Sequence, residues 1–407
     1  MSTVLNLLLA LFIIVQVIFF VYLLSPLLLL VFSTIYGKKD IKKHLNNRKV
    51  YNDDFDFAAI ITVHQDARFI EPFIDSFLKQ TYKKFKVYIV ADDCDTTGIR
   101  ISDDRIKIIR PSTPIHSKVK SIQYAVDCLE KQHDVMVIFD SDSLVHPCYF
   151  ERLNTYFQAG YEAVQCITIS KSLKTGMAKV ETLGWVFTTF IERASRMMLG
   201  LSSTVSGNGI AIKLSLYKDI NYVDSLGGFD KRLQTYLMIK LDEIAFAKDA
   251  IVFEEKTNDG KSFEKQRTRW IYSYFKYFND NWLIFWEGLK KINFNKIFFG
   301  FSAMRPPLFL TMGISVLCMV INLLIDPFVS LIWLLAMMIF IFSFIGIATK
   351  KGYQRGLDDA ILLLPMIVFL QFKAFFQMGK ASKSFMKTEH DEVCYIDQIN
   401  FNDLKIN

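Results

Sequence analysis

The sequence predicts an α/β fold, in which a mostly parallel sheet domain is inserted between an N-terminal transmembrane helix and C-terminal transmembrane or interfacial helices. Of the 407 residues, 52% are hydrophobic and the mean hydropathy is +0.25, too apolar for a purely soluble protein of this length. The excess lies at the two ends of the chain. Between them, short β-branched runs alternate with helical stretches, a pattern typical of parallel strands joined by helical crossovers.

The first 37 residues contain no charged side chain, and the apolar run from Val4 to Phe32 exceeds the ~20 residues that one membrane crossing needs. A secretory signal peptide would need a basic leader and a shorter apolar core of ~7–15 residues. Six basic residues follow between positions 38 and 49, and such clusters stay on the cytoplasmic side. Residues 1–37 are therefore predicted to form one anchor helix with its N-terminus outside. A two-helix hairpin that breaks near Ser25-Pro26 is the alternative.

Residues 50–263 are predicted to form the soluble domain. Its predicted strands are Ala58–Val63, Val87–Ala91, Ile106–Ile109 and Val135–Phe139, and its predicted helices include Glu71–Gln80 and Lys118–Glu130. In parallel sheets of this kind, ligands bind at the carboxyl ends of the strands. Acidic clusters directly follow two of these strands, so the functional site is expected at that edge.

The charge balance and the cysteines restrict the environment and the partners of this domain. The net charge of +7 suits a protein that lies against anionic lipid. The chain has no dense stripe of Lys and Arg, which argues against a nucleic-acid partner. Six isolated cysteines show no CxxC pair and no zinc-site spacing. They are interpreted as reduced thiols, which predicts that the soluble domain faces the cytosol.

The segment 264–305 is predicted to contain the QxxRW motif and interfacial amphipathic helices at the membrane surface. Nine aromatic side chains crowd between Trp270 and Trp286, with Lys and Asn among them. Aromatic rings are enriched at membrane–water interfaces, and interspersed polar residues disfavour a spanning helix. The stretch from Trp270 to Trp286 is therefore predicted to be an in-plane interfacial helix.

The segment 306–378 carries two clear membrane helices in this prediction. The uncharged runs Pro306–Ile325 and Pro327–Ala348 are divided by Asp326-Pro327, which suits a tight turn between antiparallel spanning helices. A third run, Ala360–Phe372, is short for a crossing, so spanning and interfacial placements both stay open. Residues 379–407 are predicted to be a polar tail.

The first chemical motif is Asp92-Asp93-Cys94-Asp95, which ends an apolar strand. A carboxylate at this position can accept a hydrogen bond from a nucleobase or a ribose. The alternative is a solvated acidic turn.

The second motif is Asp140-Ser141-Asp142, at the end of the strand Val135–Phe139. Hard divalent cations prefer oxygen ligands and keep open positions for phosphate oxygens. Asp140 and Asp142 could therefore hold one Mg²⁺ or Mn²⁺ that is shared with a diphosphate. A DxD sequence alone is common, and it gains weight here from the acidic strand end about fifty residues before it.

The third motif comprises Gln266, Arg269 and Trp270, where the soluble domain meets the aromatic segment. A guanidinium presents several donors to a phosphate, and an indole offers a stacking face. The alternative is an ordinary basic and aromatic anchor at the membrane surface.

Together these motifs resemble glycosyltransferase family 2, in particular its membrane-integrated branch that includes cellulose and hyaluronan synthases. The resemblance covers roughly residues 58–280 and implies a glycosyltransferase-A-like fold. It implies nucleotide binding by Asp92, Asp93, Lys118 and Asp140, and metal binding by Asp140 and Asp142. It implies an acceptor-side loop at Gly207, Asn208 and Gly209, and a diphosphate and acceptor clamp formed by Gln266, Arg269 and Trp270.

One motif departs from the family pattern. The family carries a Thr-Glu-Asp-like motif whose Asp is the general base, and counting back from Phe246 places that Asp at Asp230. Phe229 stands where the Glu is expected. Asp230 is therefore predicted to be the catalytic base, and Asp242 and Glu243 are its rivals.

The resemblance implies a membrane-bound, inverting transfer from a nucleotide sugar, expected to be a UDP-sugar, to a growing polysaccharide or glycan. The expected cofactor is Mg²⁺ or Mn²⁺. The expected location is the cell membrane, with several crossings and a cytoplasmic catalytic domain. Membrane lipid is an expected partner, and an export partner or a homo-oligomer stays open. The alternatives are transfer to a polyprenyl phosphate and an inactive scaffold with the same fold.

The tail contains Ser384-Phe385-Met386-Lys387-Thr388-Glu389-His390, which loosely resembles the gating segment of synthases in this branch. A disordered polar tail is the alternative for this region.

Overall fold

The computed structural model describes residues 2–37, 50–220, 228–381 and 391–405. An eight-stranded sheet forms its centre, with the strand order β3-β2-β1-β4-β7-β6-β8-β5. The strands are β1 Phe57–His64, β2 Phe85–Asp92, β3 Ile106–Ile109, β4 Val135–Phe139, β5 Leu144–Val145, β6 Ala163–Ser170, β7 Ile210–Lys213 and β8 Ala245–Glu254.

The helices before the aromatic segment are α1 Ser2–Ile35, α2 Ile70–Leu78, α3 Lys118–Asp127, α4 Tyr149–Gln158, α5 Gly176–Thr189, α6 Ser195–Met198, α7 Leu214–Lys218 and α8 Phe229–Lys240. A π-helical turn at Phe190–Ala194 joins α5 to α6. The later helices are α9 Gly260–Lys276, α10 Phe278–Lys290, α11 Phe294–Ala303, α12 Leu308–Ile325, α13 Pro327–Lys350 and α14 Leu364–Ala381.

The sheet confirms the predicted α/β class and its mostly parallel character. β1 pairs in parallel with β2 and β4, β2 with β3, and β6 with β8. The short β7 runs antiparallel between β4 and β6. The predicted strands Ile106–Ile109 and Val135–Phe139 have the observed bounds, whereas the observed β1 and β2 are two and three residues longer than predicted.

Helices cover both faces of the sheet, which explains why its central strands are continuous apolar runs. On one face, Phe77 of α2 and Phe150 of α4 pack against Phe57 and Phe85 of the strands. On the other face lie α3 and α8, whose buried side chains belong to the same cluster as Tyr88. The helices cover the two faces of the sheet, and the loops that follow the carboxyl ends of the strands lie at one edge of it.

The N-terminal apolar run forms one continuous helix through Pro26 and not a hairpin. It packs on α12 and α13. Gln16 of α1 accepts hydrogen bonds through its side-chain oxygen from Asn322 Nδ2 at 2.5 Å and from Trp333 Nε1 at 2.9 Å. Between α12 and α13, the Asp326 side chain accepts from the Phe328 amide and caps the second helix, as expected for the Asp-Pro turn.

Four helical stretches in the described ranges are long and apolar enough to cross a membrane: Thr3–Ile35, Leu308–Ile325, Pro327–Lys350 and Asp358–Ala381. The last of these begins as a 3-10 helix at Asp358–Leu363 and continues as α14. The run predicted to end at Phe372 is therefore longer than expected. Lys373 does not end the helix, because lysine is a good helix former, and its ammonium pairs with Glu264 at 2.8 Å.

The prediction of one helix from Trp270 to Trp286 is wrong. The chain breaks at Tyr277, so that α9 and α10 are separate helices. Tertiary packing imposes the break, because Ile271 of α9 and Ile284 of α10 are buried in different clusters. α10 in turn packs closely on α11, where a Cβ added at Gly300 would lie 2.5 Å from the Phe285 amide nitrogen.

The alternative of a disordered tail does not hold for residues 391–405, which are ordered. This segment, which we call the C-terminal strap, contains two short 3-10 helices, Ile396–Gln398 and Phe401–Asp403. Ile396 is buried in the same core cluster as the central strands. The gating-like segment Ser384–His390 lies outside the described residues.

Candidate active site

The carboxyl ends of the parallel strands bring the predicted site residues to one edge of the sheet. His64 and Asp92 are register partners at the ends of β1 and β2, and Asp140 follows β4. The loop at Gly207–Gly209 enters the antiparallel β7 at the same edge, since the Gly209 amide donates to the Ile138 carbonyl at 2.8 Å. β8 also ends there, at Glu254.

Asp92 is buried, and its carboxylate orders the loop that leads into α3. The Ile115 and His116 amides donate to its two oxygens at 2.6 and 2.8 Å. His64 Nδ1 lies 3.2 Å from Oδ2. Asp93 does not share this environment, because its left-handed backbone turns it outwards, where it accepts from Gln65 Nε2 at 2.9 Å. The two aspartates thus face different surroundings.

Two histidines near Asp92 were missed by the sequence analysis. His116 Nδ1 lies 3.4 Å from His64 Nε2, and one ligand atom from each histidine and from Asp92 fits within 4.8 Å. The three residues are far apart in the chain, so no local spacing indicates this group. They form a possible ligand set that is distinct from the DxD motif.

Lys118 starts α3 directly after the Ser117 cap, and its ammonium forms an ion pair with Asp140. The same ammonium lies 4.8 Å from the centre of the Phe229 ring. Burial lowers the pKa of Arg269 on α9, and the nearby negative charge of Asp140 opposes that shift. Two cations from different helices therefore lie close to the first aspartate of the DxD motif.

Asn208 joins the glycine loop to the DxD motif. Its Oδ1 accepts from the Asp140 amide at 3.3 Å, and its Nδ2 donates to Ser143 Oγ at 3.0 Å and to Glu254 Oε2 at 3.3 Å. Asp142 is buried and accepts from the Glu255 amide at 3.4 Å. The ends of β4 and β8 and the loop before β7 thus form one connected polar cluster.

Gly207 has a φ of +83° and lies against the start of α8. A Cβ at this position would come within 3.3 Å of the Asp230 Cβ and of the Phe229 ring. Asp230 lies in the first turn of α8, partly exposed, with Lys231 Nζ 3.9 Å away. Asp230 therefore stands beside the loop that carries Asn208.

The rival bases Asp242 and Glu243 lie at the other end of the sheet. They precede β8, which runs through ten residues before it reaches the site at Glu254. At ~3.3 Å per residue a strand of this length spans about 30 Å. The Asp242 carbonyl instead accepts from Asn295 Nδ2 at 2.8 Å, in a contact with α11.

The predicted clamp residues lie on α9. Trp270 is 40% exposed, and its ring centre is 6.4 Å from that of Trp185 on α5. Oε1 of Gln266 is buried and has no hydrogen-bond partner among the described residues. The Arg267 guanidinium lies 4.2 Å from the Trp270 ring centre and stacks on it.

Glu181 of α5 was also missed, although it links three parts of the site. It is buried, and its Oε2 accepts from the Thr257 amide at 2.9 Å and from the Thr257 hydroxyl at 2.6 Å. Its Oε1 accepts from Arg267 Nη2 at 3.2 Å. Nothing in the surrounding apolar helix distinguishes this residue in the sequence.

Lys256 is the fourth residue that the sequence analysis missed. It is buried, pairs with Glu254, and lies 4.3 Å from the centre of the Trp185 ring. Its position just after β8 fits the rule that polar residues at strand ends line the site. Application of that rule to Glu254-Glu255-Lys256 would have found it.

Comparison with known proteins identifies the family. A model described as "Glycosyltransferase like family 2" matches residues 55–273, more than half of the chain. The chain belongs to this glycosyltransferase family. The predicted family and the predicted glycosyltransferase-A-like α/β fold are thereby confirmed. Membership implies a nucleotide-sugar donor and a glycan acceptor.

Among solved structures, this family 2 glycosyltransferase is similar to residues 1–349 of TarS from S. aureus, at 14% identity and a TM-score of 0.40 over 86% of this chain and 98% of that one. A structure of a longer TarS chain from S. aureus is similar at 16% identity and a TM-score of 0.42, over 83% of this chain and 57% of that one. The structure of GalNAc-T7 with UDP, GalNAc and Mn²⁺ is similar at 10% identity and a TM-score of 0.37. The match covers 50% of this chain and 43% of that one. No curated protein sequence matches the chain.

Proposed function

We propose that this protein is a membrane-bound, metal-dependent glycosyltransferase of the membrane-integrated branch. It transfers a sugar from a UDP-sugar to a hydroxyl group of a growing polysaccharide or glycan, with inversion, on the cytoplasmic face of the cell membrane. The observation that carries the proposal is the connected cluster at the sheet edge, in which Asn208 joins Asp140 to the end of β8 while Gly207 adjoins Asp230.

The donor half of the reaction rests on Asp140 and Asp142. Both offer hard carboxylate oxygens at one strand end, a donor set that fits Mg²⁺ or Mn²⁺. When bound, such an ion would offset the charge that grows on the departing diphosphate. Lys118 and Arg269 supply further positive charge beside Asp140. Asp92 orders the loop that carries Lys118, which fits its role on the nucleotide side.

The acceptor half of the reaction rests on Asp230 and α9. Asp230 accepts the proton of the acceptor hydroxyl as the oxygen attacks the anomeric carbon and the bond to the diphosphate breaks. A base of this kind contributes about 10²–10⁴-fold to the rate. The half-exposed Trp270 ring offers a stacking face to a sugar, and the buried Gln266 Oε1 can accept a hydrogen bond from a sugar hydroxyl.

Membrane attachment is supported by α1, α12 and α13. Their exposed surfaces are apolar, and the polar contacts of Gln16, Asn322 and Trp333 join the three helices inside the bundle. The basic residues at positions 38–49 of the sequence favour a cytoplasmic catalytic domain.

The decisive experiment is a screen of nucleotide sugars with the purified protein in lipid nanodiscs. We expect release of nucleoside diphosphate from one class of donor, abolished by EDTA and restored by Mg²⁺ or Mn²⁺. NMR of the product should show the anomeric configuration inverted. Failure to consume any nucleotide sugar with metal and acceptors present would support the inactive scaffold instead.

A polyprenyl-phosphate acceptor is the second candidate, favoured by a basic cluster between the site and the membrane helices. Arg193, Arg196 and Arg305 surround Glu192, with Arg305 Nη2 3.1 Å from Glu192 Oε1. Burial alone would raise the pKa of Glu192, but the three arginines hold it below its ordinary value. A labelled product that partitions into organic solvent would favour this acceptor, and a water-soluble product of dispersed size would favour a polysaccharide.

A further inference from the structure

We propose that α14, although long and apolar enough to cross a membrane, lies in the membrane plane on the side of the catalytic domain. Its exposed face would then contact the boundary between lipid headgroups and acyl chains. The inference rests on the proposed membrane attachment, and it reduces the four candidate crossings to three: α1, α12 and α13.

The chain before α14 is held on the catalytic domain. The Gln354 side chain accepts from the Ser170 amide at 3.2 Å and donates to the Ser170 carbonyl at 2.8 Å, at the end of β6. Asp359 pairs with Lys179 of α5 at 2.6 Å. α14 therefore begins on the same side as the strand ends.

α14 itself runs along α9, the helix that carries the clamp residues. Lys373 pairs with Glu264, and Gln377 also donates to Glu264. Further along, Thr268 Oγ1 donates to the Ala374 carbonyl at 3.4 Å. α9 is rich in Lys, Arg and Glu, so it cannot lie in the hydrocarbon layer. A helix packed along it for several turns stays at the same depth.

The chain after α14 returns to the catalytic domain as the C-terminal strap. The Asp391 and Glu392 amides donate to the Glu255 carboxylate at 3.2 and 3.1 Å. Glu392 also pairs with Lys174 at 2.7 Å. Further along, the Phe401 ring stacks on Phe253 of β8 at 6.0 Å. Both ends of the α14 region are thus attached to one side.

If α14 crossed the membrane, the chain after it could return to the catalytic domain only as a fully extended segment. Ten residue steps separate Ala381 from Asp391, and an extended chain covers at most about 36 Å in ten residues. This barely matches a hydrocarbon layer of about 30 Å. Between them stand Lys383, Lys387 and Glu389. A lipid-exposed, non-helical return that carries charges is excluded, because its backbone groups would lack partners.

The two faces of the helix fit an in-plane position. Ile367, Ala374 and Ala381, spaced seven residues apart, are buried against the protein. Leu362, Phe369 and Phe376 have the same spacing and are 87%, 68% and 81% exposed. An apolar stripe on one face with protein on the other is typical of an interfacial helix. The ring centres of Phe372 and Phe309 lie 4.9 Å apart, which places the middle of α14 beside the start of α12.

Cysteine labelling tests the arrangement. In a background that keeps only the buried Cys166 and Cys318, single cysteines replace Ile325 at the turn between α12 and α13, Lys261 on the catalytic domain, and Asn402 in the strap. An impermeant maleimide is applied to intact cells and to lysed cells. We expect Ile325→Cys to react in intact cells, and Lys261→Cys and Asn402→Cys to react only after lysis.

The outcomes separate this inference from the proposed function. Labelling of Asn402→Cys in intact cells, with Lys261→Cys protected, would overturn the in-plane helix alone. Protection of Ile325→Cys until lysis would overturn the membrane-spanning arrangement and this inference with it.

Depth measurement is a second test that does not depend on sidedness. Nitroxide labels at positions 369 and 376, in nanodiscs, should report the same depth near the headgroups. A spanning helix would separate them by about 10 Å, since each residue rises 1.5 Å. A depth difference of that size would overturn the proposal.

Discussion

The two sides of the candidate site are held by different kinds of contact. The strand side comprises Asp92, Lys118, Asp140, Asp142 and Asn208. Here the three aspartates stand at strand ends, and Asp92, Asp142 and Asn208 accept hydrogen bonds from backbone amides. On the helix side, which comprises Glu181, Gln266, Arg267, Arg269 and Trp270, a buried side-chain ion pair between two helices sets the geometry. The strand side is thus fixed by the sheet itself, whereas the helix side depends on α5 and α9 keeping their packing.

Asp230 is the proposed catalytic base and lies beside the Gly207 loop, so its loss should have the largest effect. Asp230→Asn keeps the size of the side chain but removes the base, and we expect transfer to fall by about 10²–10⁴-fold. Donor affinity, measured by calorimetry, should stay within about twofold, because the proposed nucleotide-binding residues belong to the strand side. Asp242→Asn is the matched control and should keep normal turnover. Normal turnover in Asp230→Asn would refute the base assignment.

Asp142 tests the strand side on its own. Asp142→Asn keeps an oxygen ligand but removes its charge, so we expect a loss of about 100-fold in diphosphate release and a higher Mn²⁺ requirement. A manganese titration of the activity measures both. An unchanged metal requirement would show that Asp142 does not hold the cation. Asp249→Asn, an acid in the middle of β8, serves as the control.

Glu181 tests the helix side. Burial lowers the pKa of Arg267 and the charge of Glu181 opposes that shift, so Glu181→Gln leaves a buried cation poorly paired. We expect a loss of about 3 kcal/mol in stability. Trp270 should also lose its position, with transfer lower by up to about 100-fold while donor hydrolysis is maintained.

A double variant separates the electrostatic effect from simple unfolding. Adding Arg267→Gln to Glu181→Gln removes the unpaired charge and should recover part of the lost stability, as measured by Tm. If the double variant is less stable than both single variants, the ion pair does not account for the effect.

The smallest effect is expected far from both sides, at Asp103. Hydrogen bonds from Arg105 lower the pKa of Asp103 to about 2, below its ordinary value of 3.8. The stabilising effect of a lowered acid pKa is present above pH 3.8 and is lost as the pH falls towards 2. At pH 7, Asp103→Asn should cost at most about 1 kcal/mol, because the pair is near the surface. The stability difference from wild type should vanish near pH 2, as checked by denaturant unfolding.

The sequence predicts the strand side well and the helix side poorly, for a physical reason. Asp92, Asp140 and Asp142 follow apolar strands, so a local pattern indicates both the strand and the position at its end. Glu181 meets Arg267 across 86 residues. His64 and His116 meet across 52 residues. No local pattern encodes such contacts, and they are decided only when the elements pack.

The errors in the helical region have the same origin. Lys373 ends the apolar run in the sequence, but the helix continues beyond it, and its ammonium pairs with Glu264 on α9. The aromatic stretch looks like one interfacial helix in the sequence. In the structure it forms two helices, and Ile271 and Ile284 are buried in different clusters. In both cases the composition of the segment is evident from the sequence, whereas its bounds appear only in the packed structure.

The contact of Gln16 with Asn322 and Trp333 bears on how the enzyme can be produced. A version shortened to remove the first helix would leave an amide and an indole facing acyl chains with their shared acceptor gone. Such a truncation would expose the polar groups of Asn322 and Trp333 to the acyl chains, and it would not release a soluble enzyme. Preparations for functional study should therefore retain all of α1.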